Sequence, residues 1–318
     1  MKKFKFISTL RYLKISSSLN GWLELMPGID ITNDKAEIKK VITDEFKTIA
    51  GVIEYDHFLN AENILYCELN ESFFGKSLDS GQALFIWLHW LQMLLNDLWF
   101  IKDNAVVCEA AFCKLDNGSD SAWTRNNITN AAYTSQGATF VTIELSSQEL
   151  CSWNKKSEQI QNYLHDANST FIDSFTNTKF SRIGRCMRFI RAAIKEQHPA
   201  VKLSHYCSGF ESLFSTDNTG LSHKLSERVA LFLRDYDYDP IETFDILKAF
   251  YDIRSSVTHG SSLRANKEKR LSELSQQCDN YLRVILGILL DEPELRDLFD
   301  GKSDRFENYF KHKLLVAK

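Results

Sequence analysis

Apolar and polar residues alternate along the first part of the chain and recur at helical intervals along the second. KFKFISTLRYLKI (3–15), NILYCEL (63–69), AVVCEAAFCKL (105–115) and ATFVTIEL (138–145) carry the period-two pattern of strands. Between them, residues 80–101 form one long apolar stretch, and ALFIWLHWLQMLLNDLWFI (83–101) approaches the length of a membrane span. His89, Gln92, Asn96 and Asp97 interrupt it. Polar groups at that depth are costly in hydrocarbon, so the segment predicts a buried helix. DNGSDSAWTRNNITN (116–130) has the composition of a loop, and its Asn127 heads an N-x-[ST] sequon.

From about residue 146 the strand pattern stops. SSQELCSWNKKSEQIQNYLHDA opens on serines suited to capping a helix that continues to about 166. In RIGRCMRFIRAAIKEQ (182–197), Ile183, Met187, Ile190 and Ile194 make one apolar stripe. Pro199 starts a further helix, and TGLSHKLSERVALFLRDY predicts another from about 221, after an ordinary turn at 216–220. Pro240 fits the first turn of the next, with Phe244, Leu247, Phe250 or Tyr251, and Val257 facing inward. Counted from the helix at 182, a fifth spans about 267–290, and the tail after Pro293 adds one or two more. The fold class expected is an α+β N-terminal domain over 1–145, followed by an all-α helical bundle over 146–318.

Composition sharpens this division. All six tryptophans lie in the first half, whereas Arg11 and Arg125 are its only arginines. The 318 residues, 44% hydrophobic and 25% charged, suffice for two cores. Seven scattered cysteines form no metal-like cluster and suit reduced thiols in a cytoplasmic setting, with Cys108 and Cys113 in the core. At the amino terminus Lys5, Arg11 and Lys14 break any apolar run long enough for export, so a strand is expected there and no membrane partner. A net charge of −4 opposes coating nucleic acid by charge alone, so any RNA or DNA contact must be local.

Glycine-rich phosphate loops, CxxC pairs, HExxH and GxSxG are absent from the sequence, and no cofactor or metal is implied. His198, His205 and His223 lack paired ligand spacing and read as surface or hydrogen-bonded core residues. What remains is RSSVTHG (254–260), which sets Arg254 five residues before His259. On an ideal helix that interval rotates the second side chain by about 140° and raises it by about 7.5 Å, so the two do not stack. Gly260 can end the helix in the left-handed conformation, letting His259 project while the long Arg254 reaches up toward it. The bland alternative is two solvated side chains at a helix end. The functional one is a phosphate site: an imidazole takes a proton from a hydroxyl, and a guanidinium holds the phosphate as negative charge builds. With RNA the 2′-OH is already tethered beside the phosphate.

RCMRFIRAAIKEQHPAVKLSHYCSGFESLF, LSHKLSERVALFL and ILKAFYDIRSSVTHG together resemble the HEPN domain of the Apea-like type, over about residues 180–290. The R-x4-H element is weakly specific alone; its place after the FESLF and LSERVALFL helices carries the likeness. The resemblance implies a bundle that dimerises to bring two such elements to one cleft, and metal-independent RNA cleavage. Arg254 would bind phosphate, His259 would act as base or acid, and Glu211 would orient one of them. It also implies a role in anti-phage defence, with the N-terminal domain answering a phage or host trigger. Where some HEPN toxins carry a modifiable tyrosine two residues past the histidine, this chain has Ser261. Arg182, Arg185, Arg188, Arg191 and Lys195 form a basic stripe, either a solvated face or an RNA-binding track toward the cleft. The alternative functions are a non-catalytic module binding RNA, nucleotide or protein, and, more weakly, a DNA-binding regulator.

Overall fold

The computed structural model describes residues 2–116, 121–126, 131–166, 181–216, 221–260 and 265–316. The chain separates into two compact units, Met1–Ala132 with Phe140–Gln161, and Tyr133–Thr139 with Asn162–Lys318. This division differs at two places from the one expected at 145/146. The boundary falls inside a helix rather than before it, and a short upstream segment belongs with the helical unit.

The first unit is built on a sheet of β1 (Lys3–Arg11), β3 (Leu23–Met26), β4 (Ile29–Thr32), β5 (Ile64–Asn70), β6 (Val107–Asp116) and β7 (Ser121–Asn126), in the order β3-β4-β5-β1-β6-β7 and antiparallel throughout. A second, parallel pair joins β2 (Leu13–Ile15) to β8 (Ile143–Leu145). The run expected as a single strand from residue 3 to 15 thus splits, because Tyr12 adopts a positive φ of 69°. Likewise only the last three residues of ATFVTIEL are strand, and Phe140 turns with φ 58°.

Both faces of the sheet are covered. On one, Phe4, Phe6 and Leu10 pack against α4 (Ser80–Asp97), whose Trp87 stacks on Phe6 at 5.1 Å and donates its indole N–H to Ser8 Oγ at 2.8 Å. Asp79 and Gln82 cap that helix reciprocally. On the other face, Ile7, Ile64, Ala110 and Phe112 share a core with Ile38, Ile42, Phe46 and Phe58, which come from α1 (Lys35–Val41), α2 (Asp44–Ala50), α3 (Val52–Asn60) and the α1–α2 connection. With both faces covered, β1 is buried along nearly its whole length although its residues alternate in polarity. No described helix is long and apolar enough to cross a membrane. Cys108 and Cys113 are buried, as their alternation predicts.

The segment expected as a loop over 116–130 contains β7, a correction with a clear cause. An edge strand has one open side and tolerates the polar residues that make it read as a loop. Asn127 lies outside the described residues, as do residues 217–220 of the expected turn.

In α5 (Ser147–Asp166), Ser146 Oγ accepts from Glu149 N at 3.2 Å while Glu149 Oε2 accepts from Ser146 N at 2.8 Å, the expected cap. The helical unit then contains α6 (Arg182–Lys195), α7 (Pro199–Phe214), α8 (Leu221–Leu233), α9 (Pro240–Thr258), α10 (Ala265–Lys269), α11 (Leu271–Asp291), α12 (Pro293–Asp300) and α13 (Ser303–Leu315). Pro199 and Pro240 stand in the first turns of α7 and α9, as their spacing predicts. Tyr206, Phe210, Leu213, Phe214, Val229, Phe232, Phe250 and Leu282 are sealed in its core. The 133–139 segment is tied to this unit by Tyr133 N donating to Ile194 O at 3.0 Å, by Ser275 Oγ donating to Ser135 O at 2.6 Å, and by the buried Lys202, whose Nζ donates to Tyr133 O at 3.3 Å as well as to Ala193 O.

Candidate functional site

Asp239 opens α9, its Oδ1 accepting from Ile241 N at 2.9 Å and Glu242 N at 2.8 Å. Leu247, Phe250, Tyr251 and Ile253 are buried, while Phe244 and Val257 are only partly so. Arg254 lies three residues beyond Tyr251, on the border of that buried face. There it meets α7: Arg254 Nη2 donates to Glu211 Oε2 at 3.3 Å and stands 3.2 Å from Oε1, the latter without hydrogen-bond alignment. The side chains of Arg254 and Glu211 are 32% and 20% exposed, so the pair is neither sealed nor free in solvent. Burial pushes the Glu211 carboxyl above its ordinary range, against the opposing pull of Arg254 and the Tyr251 hydroxyl. Tyr251 is 5% exposed, donates to Cys207 O at 3.4 Å, and is itself pushed up by burial, with Cys207 and Glu211 adding to the effect.

The helix ends where the sequence predicts. Thr258 Oγ1 bonds back to Arg254 O at 2.9 Å, His259 N donates to Ser255 O at 3.0 Å, and Gly260 takes φ 64°. A side-chain hydroxyl competing inside the last turn and a left-handed residue just past it are a sufficient stop. His259 is exposed at that end. Of the three expected site residues, the fold brings Arg254 and Glu211 together. Among the described residues, no hydrogen bond or ion pair joins the His259 imidazole to either.

The basic stripe divides. Arg185, Arg188 and Lys195 are exposed and Arg191 is partly exposed, but Arg182 is buried. Its guanidinium bonds Ser215 O at 2.5 Å and Ser303 Oγ at 3.3 Å and lies 4.6 Å over the Phe306 ring. Burial, with Arg185 and Arg228 nearby, lowers its pKa. Arg182 is thus corrected from an RNA-facing residue to a structural one. The reason is helical geometry: each step of three residues falls about 60° short of a full turn, so Arg182 and Arg191 point to opposite sides.

Arg228, which the sequence reading passes over, is 3% exposed, donates to Phe214 O at 2.7 Å and pairs with Glu307. Tyr251 is expected from the sequence only as an inward-facing alternative to Phe250, and its place three residues before Arg254 is the signal that it borders the site. Of the histidines, His198 caps α7 by accepting from Ala200 N at 3.3 Å, His223 packs on Phe244 at 5.2 Å, and burial lowers the pKa of half-buried His205. Among the described residues no group of three or more His, Cys, Asp or Glu side chains could hold a metal ion.

No family model, curated protein or solved structure matches the chain.

Proposed function

We propose that the helical unit is an endoribonuclease of the HEPN type, acting through Arg254 and His259 without a metal ion. The observation that supports it most is the end of α9, where an arginine seated by a carboxylate is followed by an exposed histidine at a glycine stop. Among the described residues only Nη2 of Arg254 is engaged, so the other guanidinium N–H groups can take a phosphate. In the reaction His259 removes the proton from a 2′-OH, whose oxygen bonds to the adjacent phosphorus. The bond from phosphorus to the 5′-oxygen breaks, and that oxygen takes a proton from a second acid. The products are a 2′,3′-cyclic phosphate and a 5′-hydroxyl. Arg254 stabilises the charge on the phosphate oxygens as it builds. A second copy of the chain, supplying a second Arg254 and His259, furnishes the acid in this scheme. In this reading Arg185, Arg188 and Lys195 track the RNA backbone, and the N-terminal unit restrains or triggers cutting. The biological setting proposed, from the resemblance alone, is anti-phage defence by degradation of RNA.

A non-catalytic binding module is favoured by one observation, the ion pair that already occupies part of Arg254. Cells expressing the intact chain or His259→Ala separate the two readings. The nuclease reading expects slowed growth and fragmented RNA with the first chain alone. Equal RNA fragmentation by both would remove His259 from the chemistry and the proposal with it.

A further inference from the structure

The N-terminal unit holds a cavity of about 140 Å³ between one face of its sheet and the α1–α2 connection, walled in part by Lys5, Lys40, Glu45, Tyr66, Lys114 and Trp123. Its floor is a row of residues running straight across four strands. Glu68 on β5 faces Lys5 on β1, Lys5 faces Lys114 on β6, and Lys114 faces Trp123 on the edge strand β7. Two lysines directly opposed on neighbouring antiparallel strands repel one another, and such a pair is destabilising unless negative charge lies close to both. Carboxylates approach from the sides: Glu68 Oε2 is 3.6 Å from Lys5 Nζ, and Glu45 Oε2 is 2.6 Å from Lys114 Nζ. A third ammonium, Lys40 on α1, stands at the rim and pairs with Glu37 outside the wall. Lys5, Lys40 and Lys114 line the wall with one carboxylate, Glu45, and each has a carboxylate partner: Glu68 for Lys5, Glu37 for Lys40 and Glu45 for Lys114.

The remaining wall is aromatic. The Lys114 ammonium lies 5.7 Å from the centre of the Trp123 ring, and the indole N–H points to Glu45 Oε1 at 3.5 Å. Trp123 is only partly buried although it is one of the largest side chains of the unit, while Phe46 packs against it at 5.1 Å. A volume of this size accommodates a single aromatic ring, as engineered cavities of about 150 Å³ do. The exposed Lys40 and Glu45 leave the rim open for the rest of a larger ligand.

We infer that this cavity binds a nucleoside monophosphate, its phosphate between Lys5, Lys40 and Lys114 and its base against Trp123. Glu45, which pairs with Lys114, gives way to the phosphate. The inference is independent of the chemistry proposed for α9, since it concerns binding by the other unit. It gives that unit a small-molecule ligand of defined class.

Calorimetric titration of the full chain with adenosine monophosphate, adenosine and inorganic phosphate tests it. The monophosphate should bind saturably and more tightly than phosphate or adenosine alone. Lys114→Gln or Lys5→Gln should weaken it about tenfold, the usual scale for loss of a charge-assisted hydrogen bond. Lys3→Gln, on the same strand outside the wall, should leave it unchanged. Glu45→Gln gives the opposite sign: removing the competing carboxylate should tighten binding severalfold, which loss of a merely structural group would not do. Absence of binding by the wild-type chain, or affinity that Lys5→Gln, Lys114→Gln and Glu45→Gln all leave within about twofold, would overturn the site. Phosphate binding as tightly as the monophosphate would overturn the nucleotide assignment.

Discussion

At the residue scale the account turns on how Glu211 and Arg254 divide their charge. Burial raises the Glu211 pKa above the ordinary 4.5. The folded state therefore holds this proton to higher pH than the unfolded chain does. Stability from this group is present below the ordinary value and is lost as pH rises through the folded one. Glu211→Gln should accordingly flatten the fall in stability above pH 4.5, seen as a smaller drop in the urea midpoint than the wild type over the same range. A variant that steepens the fall would mean that Arg254 outweighs burial. Gly260 offers a second residue-level test. Among the described residues, no atom other than those of its chain neighbours lies within 4 Å of an added Cβ there, so Gly260→Ala strains the backbone alone, at φ 64°. It should destabilise by about 1 kcal/mol, read from chemical denaturation.

Among elements, α6 separates structural from surface arginines. Arg182→Ala removes a guanidinium that bonds a carbonyl and a hydroxyl and covers Phe306, and it should destabilise by about 2–3 kcal/mol. Arg188→Ala, on the exposed side, should fall within about 0.5 kcal/mol. Charge reversal at Arg185 and Arg188 should instead lower RNA affinity and its salt dependence, and unchanged affinity would remove α6 from the RNA path. The same helix marks what a sequence can and cannot reveal. Its apolar stripe was legible because Ile183, Met187, Ile190 and Ile194 keep step with 3.6 residues per turn. The burial of Arg182 was not, since it depends on Ser215, Ser303 and Phe306, distant in sequence. In the sheet, β1, β5 and β6 announced themselves by alternation, whereas the edge strand β7 hid behind polar residues. At the candidate site, the stop at Gly260 was readable from local chemistry. The Tyr251 contact was not, because it needs the packing of α7 on α9.

At the scale of the whole molecule, the chain joins a unit built on an antiparallel sheet covered on both faces to a helical unit with a core of its own. Each has a candidate site of different chemistry: an ammonium-lined cavity in the first, and an arginine with a histidine at a helix end in the second. The central claim concerns the latter, and one measurement addresses it directly. Purified full-length chain, with chelator present, is given an RNA strand and the same strand carrying a single 2′-deoxy sugar at the cleaved position, alongside His259→Ala as a parallel enzyme. The account predicts a cyclic phosphate end on the RNA product, no cutting at the deoxy position, and a loss of at least about 100-fold in His259→Ala. Equal cutting of both strands, or equal rates for the two proteins, would contradict it.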